Sequence, residues 1–459
     1  MALKYDAIII GAGQSGPSLA QRLTQQGMKT AIVERKRFGG TCVNYGCIPT
    51  KTLVASARAA YMVKRSRDFG VMIDGPVHVD MERVKARKDE VVRQSNQGVE
   101  NWLKNMPGLS VYEDHACFED AHTVRTGDTL MQAEKIFINV GARPNVPNMP
   151  GIDQVDYLTS SSILDMDFLP EHLLIIGGSY IGLEFAQMYR RFGARVTVVE
   201  KGPRLIGRED EDVSAAIKDI LEGEGVEIRL NAECLRVQQH GDQLAIGVDC
   251  EVGDREVIGS HLLLAVGRRP NTDDLGVDKA GIDIDPGHYI KVDDQLRTSV
   301  PGIWAIGDVN GRGAFTHTSY NDYEIVAANL FDKDPRRTTD RITCYGLFVD
   351  PPLGRVGMTE QELRQSGRKA LIGKMPMTRV GRARERGETQ GFMKVLVDAE
   401  TQKILGAVVL GIGGDEVVHS MLDVMYADAP YTTIQRAVHI HPTVTELVPT
   451  MLGDLRSLT

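Results

Sequence analysis

A strand, a glycine-rich turn, a helix and a second strand ending in an acid occur twice in this chain, and that repeat leaves few folds open. In the first copy residues 5–10 form a short apolar strand running into Gly11-Ala12-Gly13-Gln14-Ser15-Gly16. A helical stretch continues to about Gln26, and residues 30–33 form a strand that ends at Glu34. In the second copy residues 173–176 lead into Gly177-Gly178-Ser179-Tyr180-Ile181-Gly182, a helix runs through Arg191, and residues 196–199 end at Glu200. The acid stands 23 residues after the first glycine in both. Gly11 suits the tight turn, Gly13 lets backbone approach a pyrophosphate, Gly16 permits close helix packing, and Glu34 can hold a ribose hydroxyl. The phosphates would rest on the helix N-terminus. In the second copy Ser179 replaces the middle glycine, so only a hydroxymethyl group must clear the pyrophosphate. Gly177, Gly178, Gly182 and Glu200 are therefore assigned to a second nucleotide site. Each copy is followed by a related segment, Val140-Gly141-Ala142-Arg143-Pro144-Asn145 and Val266-Gly267-Arg268-Arg269-Pro270-Asn271.

Directly after the first unit comes Gly39-Gly40-Thr41-Cys42-Val43-Asn44-Tyr45-Gly46-Cys47-Ile48-Pro49-Thr50-Lys51. In an undistorted helix residues five apart are separated by about 7.5 Å of rise alone, beyond the roughly 4.4–6.8 Å Cα separation a disulfide accepts. Regular helix cannot hold a Cys42–Cys47 bridge. Gly46 and Pro49 supply irregular backbone that would let the sulfurs meet, Pro49 being tolerated near a helix start. The pair is taken as a redox centre. Spacing alone also leaves open two buried thiols or half of a metal site.

At 459 residues the chain has room for about three domains. With 42% hydrophobic and 25% charged residues the composition is that of a globular protein. A net charge of -9, without basic runs interleaved with aromatics, argues against a nucleic-acid partner. No apolar run approaches the roughly 18 residues a membrane span needs, so a cytoplasmic protein is expected. Six cysteines are too few for a disulfide framework. Cys117, Cys234, Cys250 and Cys344 are expected to be inert, and Lys64 to Arg67 and Arg83 to Lys88 to be solvated helix faces. The first unit spans 1–150, with an amphipathic helical insertion over about 80–104. A linker follows at 147–151, a second unit over 151–280, a return to the first domain over 281–340, and an α+β module over 341–459. That module shows strand-like residues at 347–349, a Thr-x-x-Glu-capped helix over 359–366, strands at 392–397 and 404–410, and a helix after Gly414. The fold class is α/β, two Rossmann-like dinucleotide-binding domains plus a C-terminal α+β domain.

Taken together, Gly11 to Gly16, Gly40-Thr41-Cys42 through Lys51, Gly177 to Glu184, Gly267 to Asn271, Gly307-Asp308-Val309 and His441-Pro442-Thr443 with Glu446 resemble the pyridine nucleotide-disulfide oxidoreductases over essentially the whole chain. That family includes dihydrolipoamide dehydrogenase, glutathione reductase and mercuric reductase. The resemblance implies FAD on the first unit, NAD(P)H on the second, and a homodimer whose active sites are each completed by the partner's C-terminal domain. It further implies that Cys47 is the thiolate facing flavin and Cys42 the thiol that exchanges with substrate. His441 is the implied base, oriented by Glu446, and the thiolate rather than the thiol does the work. His439 is favoured as a core or surface residue, and no metal site is assigned. Lys51 is expected against the flavin edge, paired with Glu184, and Asp308 at the ribityl or phosphate end. Thr41, His115 and Thr316 are expected among the cofactor contacts. Glu200 favours NADH over NADPH, since a carboxylate accepts from a ribose 2′-hydroxyl and repels a 2′-phosphate.

The C-terminus lacks the second cysteine pair of mercuric reductases. The segments around 315–328 and 351–360 resemble the bacterial flavin reductases of reactive-chlorine resistance, which are linked to copper(II) reduction. The expected substrate is a small disulfide, a dithiol or a metal ion. Dihydrolipoamide dehydrogenase is the alternative, and a redox-silent flavoprotein with an interaction role is the alternative of another class.

Overall fold

The structure, a computed structural model, describes residues 2–249 and 254–458. Cys250 lies outside the described residues. Four strands, β1 (Ala7–Ile10), β2 (Thr30–Val33), β3 (Leu109–Tyr112) and β4 (Lys135–Ile138), join a strand at Ile303–Ala305 in one parallel sheet. Its order is 303–305, β4, β1, β2, β3. Strands buried on both faces run continuously apolar. Ile8 and Ile10 accordingly enter one core with Ile136 and Ile303, while Ala7 and Ile9 enter another with Leu19 and Leu23 of α1 (Gly16–Gln25). After β2 come α2 (Gly40–Asn44), α3 (Cys47–Lys64) and the expected insertion, α4 (Met81–Lys104), which Asp80 caps by accepting from Arg83 N.

The second unit repeats the plan. The strands β5 (Leu158–Thr159), β6 (His172–Ile176), β7 (Arg195–Val199), β8 (Glu227–Arg229) and β9 (His261–Leu264) are parallel in the order β5, β9, β6, β7, β8. Between them run α5 (Tyr180–Phe192) and α6 (Glu211–Gly223). The two related Val-Gly-x-Arg-Pro-Asn segments turn out to be partners. Ala142–Pro144 pairs antiparallel with Arg268–Pro270, placing Arg143 opposite Arg269 at the crossing between the units. Leu275, Val277 and Ala280 already lie in the first unit's core, so packing takes the chain back a few residues before the expected 281.

After α7 (Thr316–Ala327) the third part is a six-stranded antiparallel sheet of β10 (Cys344–Leu347), β11 (Leu353–Gly357), β12 (Ala370–Pro376), β13 (Phe392–Asp398), β14 (Ile404–Leu410) and β15 (Arg456–Ser457). The order is β10, β11, β14, β13, β12, β15. Between β11 and β12, α8 (Glu360–Ser366) starts with the expected capping box of Thr359 and Glu362. The strand expected at 347–349 is displaced: it covers 344–347, and Phe348 and Asp350 leave the sheet because their amides donate to side chains of α5.

Tyr180, Glu184, Gln187 and Arg191 stand on one face of α5 at helical spacing. Glu184 accepts from Lys51 Nζ at 2.6 and 2.7 Å and from Phe348 N at 3.0 Å. Gln187 exchanges hydrogen bonds with Asp350 N and O at 2.7 and 2.8 Å. Arg191 pairs with Asp350 and Glu224 at 2.5 and 2.7 Å and covers the Tyr61 ring at 3.9 Å. From α3, Arg58 reaches Asp350 and Glu388. All three parts of the chain meet on this helix face. Of the basic stretches, Lys64, Arg67, Arg83 and Arg87 are exposed as expected, and Lys88 departs from the expectation. Lys64 donates to Arg191 O, Arg87 to Thr52 O, and Lys88 is buried, with its ammonium on Asp89. Among the described residues no helix is long and apolar enough to cross a membrane.

Removing one partner of a buried ion pair strands the other charge, at a cost of about 3–5 kcal/mol. Arg191→Leu leaves Glu224 and half of Asp350 uncompensated, so its urea unfolding midpoint is expected to fall by that equivalent. A midpoint within error of wild type would show that the seam contributes nothing.

Candidate active site

Gly46 decides how the two cysteines meet. A Cβ there would stand 3.0 Å from Thr41 O and 3.3 Å from Cys42 Cα, so any side chain would press α3 a few tenths of an ångström away from α2. The helix break replaces the five-residue rise, as the spacing required. Cys47 becomes the first residue of the 18-residue α3, where the helix dipole favours an anion.

Both cysteines are free thiols. The Cys42 thiol donates to Cys47, which also lies 3.0 Å from Thr316 Oγ1 at the start of α7. The Cys42 hydrogen bond, the Thr316 hydroxyl and the Lys51 ammonium together outweigh burial and pull Cys47 down to about 6. The same hydrogen bond, with burial, pushes Cys42 up. One sulfur is thus a thiolate at neutral pH and the other a thiol.

These sulfurs lie in the wall of a cavity of about 1000 Å³, at the top of the range for small-molecule sites. Gly11, Gly13, Glu34, Thr41, Cys42, Cys47, Lys51, His115, Glu184, Asp308 and Thr316 all line it. The glycine cradle fits a pyrophosphate. Gly11, at φ +103°, and Gly16 have no room for a Cβ, which would meet Asn139 O at 2.3 Å and Gly11 O at 2.5 Å. Glu34 accepts from Ala12 N and Lys36 N, both at 2.9 Å. His115 bonds Asp274 O at 3.0 Å through Nε2, and burial raises the carboxyl of Asp308, which stands 3.6 Å from Arg268 Nε.

The second cradle repeats this geometry outside the cavity. A Cβ on Gly177 or Gly182 would meet Ala265 O at 2.4 Å or Gly177 O at 2.2 Å, and one on Gly178 would press on Leu205 and Glu200. Glu200 accepts from Gly178 N and Gly202 N, both at 2.7 Å. Gly267, at φ +103°, turns the chain into the crossing ladder.

His441 and Glu446 are not brought to the cysteines within one chain, since neither lines the cavity. His441 Nδ1 and Glu446 Oε2 are 2.9 Å apart, and the imidazole is 79% exposed. Val438 and Ile440 beside it are 100% and 80% exposed. His439 is half-buried, and its Nδ1 contacts Ala437 O. Among the described residues no group of three or more His, Cys, Asp or Glu could hold a metal ion.

The cavity also gathers residues that sequence reasoning passed over. Tyr180, Phe315 and Tyr345 form an aromatic cluster on its wall. Cys344, expected to be inert, lines the same cavity, with burial raising its thiol. Cys234 is pushed up to about 12 by burial. Only Tyr180 carried a sequence signal, as the residue after Ser179.

A family model described as pyridine nucleotide-disulphide oxidoreductase matches residues 5–322, and one described as that family's dimerisation domain matches 344–452. The chain is 38% identical to the probable pyridine nucleotide-disulfide oxidoreductase RclA of Escherichia coli strain K12, over 99% of both chains. It is 32% identical to a dihydrolipoyl dehydrogenase of Haloferax volcanii, over 98% of this chain and 95% of that one. It is also 32% identical to a mercuric reductase of Streptomyces lividans, over 96% and 94%. A solved Cu(II) complex of the HOCl-induced flavoprotein disulfide reductase RclA from Escherichia coli superposes with a TM-score of 0.90, at 36% identity over 98% of this chain and 99% of that one. These likenesses bear out the resemblance drawn from the motifs, including its lean toward the reactive-chlorine branch.

With both thiols reduced, alkylation of Cys47 by iodoacetamide should follow a thiolate titrating near pH 6, falling off below that as the sulfur protonates. Thr316→Val removes a donor to the thiolate and should move the midpoint upward. Peptide mass spectrometry reads both, and a rate that rises only above pH 8 would contradict the assignment.

Proposed function

The chain belongs to the pyridine nucleotide-disulphide oxidoreductases, and we propose that within that family it carries electrons from NADH through FAD to the Cys42/Cys47 pair and on to a small disulfide or a metal ion. The observation that carries this reading is the single cavity in which a pyrophosphate cradle, a lysine held by a buried acid and a low-pKa cysteine converge. FAD, when bound, supplies two-electron exchange between nicotinamide and the cysteine pair. Residues 1–150 and 281–340 would hold FAD, 151–280 the nicotinamide nucleotide, and 341–459 the partner subunit. The first cradle and Glu34 would hold the FAD pyrophosphate and ribose, with Thr41, His115, Asp308 and Thr316 along the rest of its length. Gly177, Gly178, Gly182 and Glu200, with Gly267 at the crossing, would hold NADH. Glu200 keeps lone pairs for a ribose 2′-hydroxyl beyond its two backbone contacts.

For a disulfide substrate, a Cys42 thiolate attacks one sulfur and the first thiol leaves. Cys47 then attacks Cys42 and expels the second, so substrate is reduced by two electrons and the enzyme pair is oxidised to its disulfide. A base must take the Cys42 proton and return it to the leaving thiolate. His441 suits the task, its Nδ1 held by Glu446 so that Nε2 faces outward. Because His441 stands exposed among uncovered apolar side chains, a second copy of the chain would bring it to the cysteines. A cytoplasmic setting, where thiols are kept reduced, suits a pair that must cycle. Dihydrolipoamide oxidation is the second reading, favoured by the His441–Glu446 pair, which serves any dithiol exchange.

The deciding experiment is an NADH-oxidation screen of purified protein against lipoamide, glutathione disulfide, Cu(II) and Hg(II). At least one acceptor should give turnover, with NADH preferred over NADPH. Anaerobic NADH should also produce a long-wavelength thiolate–flavin absorbance that Cys47→Ser abolishes. An unchanged spectrum in that variant would sink the electron path.

His441→Ala should slow disulfide reduction by about 10²- to 10⁴-fold, the usual contribution of a general acid–base, while flavin reduction by NADH stays near wild type. Mixing inactive His441→Ala and Cys42→Ser proteins under subunit exchange should restore activity, since one site of each hybrid then holds both native groups. Hybrids that form without activity would place His441 outside the partner's site. A metal-ion acceptor requires no proton on a leaving thiolate, so the same substitution should matter far less with Cu(II).

A further inference from the structure

One rung of the C-terminal sheet runs in register across five strands as Tyr345, Arg355, Val408, Lys394 and Lys374. Residues opposed in this way share a face. The rung meets a cluster of acids at the N-terminal end of α6, on the second nucleotide unit. Arg355 contacts Glu209 at 2.5 Å and Asp210 at 3.1 Å. Lys394 reaches Asp210, Asp212 and Glu360 at 3.0, 2.8 and 3.1 Å, and Lys374 reaches Asp212 at 2.6 Å. Arg355, Glu209 and Lys394 are each at most 1% exposed. Burying so many charges costs desolvation that a row of apolar residues would avoid. What the arrangement gains is fixed geometry.

Tyr345 carries that geometry to the cavity. Its hydroxyl donates to the second oxygen of Glu209 at 2.7 Å. Its ring stacks on Phe315, with centroids 5.6 Å apart and planes 9° apart, and meets Tyr180 edge-on at 5.7 Å and 89°. Tyr180 opens α5 inside the second glycine cradle, two residues before Gly182. Glu200, at the other end of that site, is followed by the irregular segment 201–208, which leads into Glu209.

We propose that Tyr345, held by Glu209 and Arg355, is a positioning residue for the nicotinamide nucleotide. It ties the segment leaving the ribose end at Glu200 to Tyr180 at the cavity end. The inference rests on the reading that the second unit binds a pyridine nucleotide. A dinucleotide must span both places at once. Binding energy gained at its ribose end orients the nicotinamide only if the two ends keep a rigid separation. The segment 201–208 has no helix or strand to provide this, and the Glu209–Tyr345 bond does.

Tyr345→Phe keeps both ring contacts and deletes the one hydroxyl. In the FAD-loaded enzyme the KM for NADH, and the Kd for NAD⁺ by titration calorimetry, should each rise about 10-fold, the loss expected for a hydrogen bond to a buried carboxylate. Oxidation of the dithiothreitol-reduced enzyme by a chromogenic aromatic disulfide should stay at the wild-type rate. Arg355→Lys should weaken NADH binding less than Arg355→Met; if the methionine variant does not fold, Tyr345→Phe decides. Wild-type KM and Kd in Tyr345→Phe would overturn the proposal. So would an equal loss in the thiol half-reaction, which would mark a general disturbance. A wild-type enzyme that neither binds NAD⁺ nor oxidises NADH would instead overturn the reading beneath it, and the proposal with it.

Discussion

The buried carboxylate of Glu184 sets where the reactive sulfur stands. It is 6% exposed and accepts from Lys51 on α3 and from the Phe348 amide of the C-terminal part. A carboxylate withdrawn from water this far must keep its partners. Lys51 follows Cys47 by four residues, one helical turn, so fixing the ammonium fixes the start of α3. Gln187 and Arg191, further along the same face, repeat the arrangement with Asp350. The seam therefore orients α3, the second nucleotide unit and the C-terminal sheet together.

At Cys47 several weak effects act in one direction. Burial opposes the thiolate. The Cys42 thiol, the Thr316 hydroxyl and the Lys51 ammonium outweigh it, and the helix start adds its dipole. The contributors come from α2, α3 and α7, so no single element could create the site. The same pairing leaves Cys42 neutral, so the two sulfurs differ in protonation although only five positions separate them. An exchange thiol kept protonated until a base arrives is protected from oxidation at rest. His441, the proposed base, stands far off in the same chain, on a surface whose apolar side chains are open to solvent.

Much of this was legible from short-range pattern. The two strand–turn–helix units, the insertion begun by Asp80, the Thr359 capping box and the helix break between the cysteines all follow from local steric and hydrogen-bonding rules. They need only neighbours within a few residues. The Lys51–Glu184 pair came from family resemblance, because 133 residues separate its members and no pattern joins them. The burial of Lys88 is not legible in the sequence for a related reason, since charge predicts exposure only when nothing packs over the side chain. The strand expected at 347–349 is shifted because Glu184 and Gln187 take the amides that a ladder would have used.

The sequence by itself determined that the chain folds as two dinucleotide units followed by an α+β module, and that a helix break stands between Cys42 and Cys47. Glycine positions, apolar periodicity and a break at Gly46 act over distances of one or two turns, so they are written in consecutive residues. Only the tertiary structure decided that the two Val-Gly-x-Arg-Pro-Asn segments pair with each other, that a basic rung of the last sheet clasps the acids around the start of α6, and that Tyr345 reaches Tyr180. Those contacts depend on strand register and on the angle between packed layers. Both are set by the whole core at once, and no local stretch of sequence contains them.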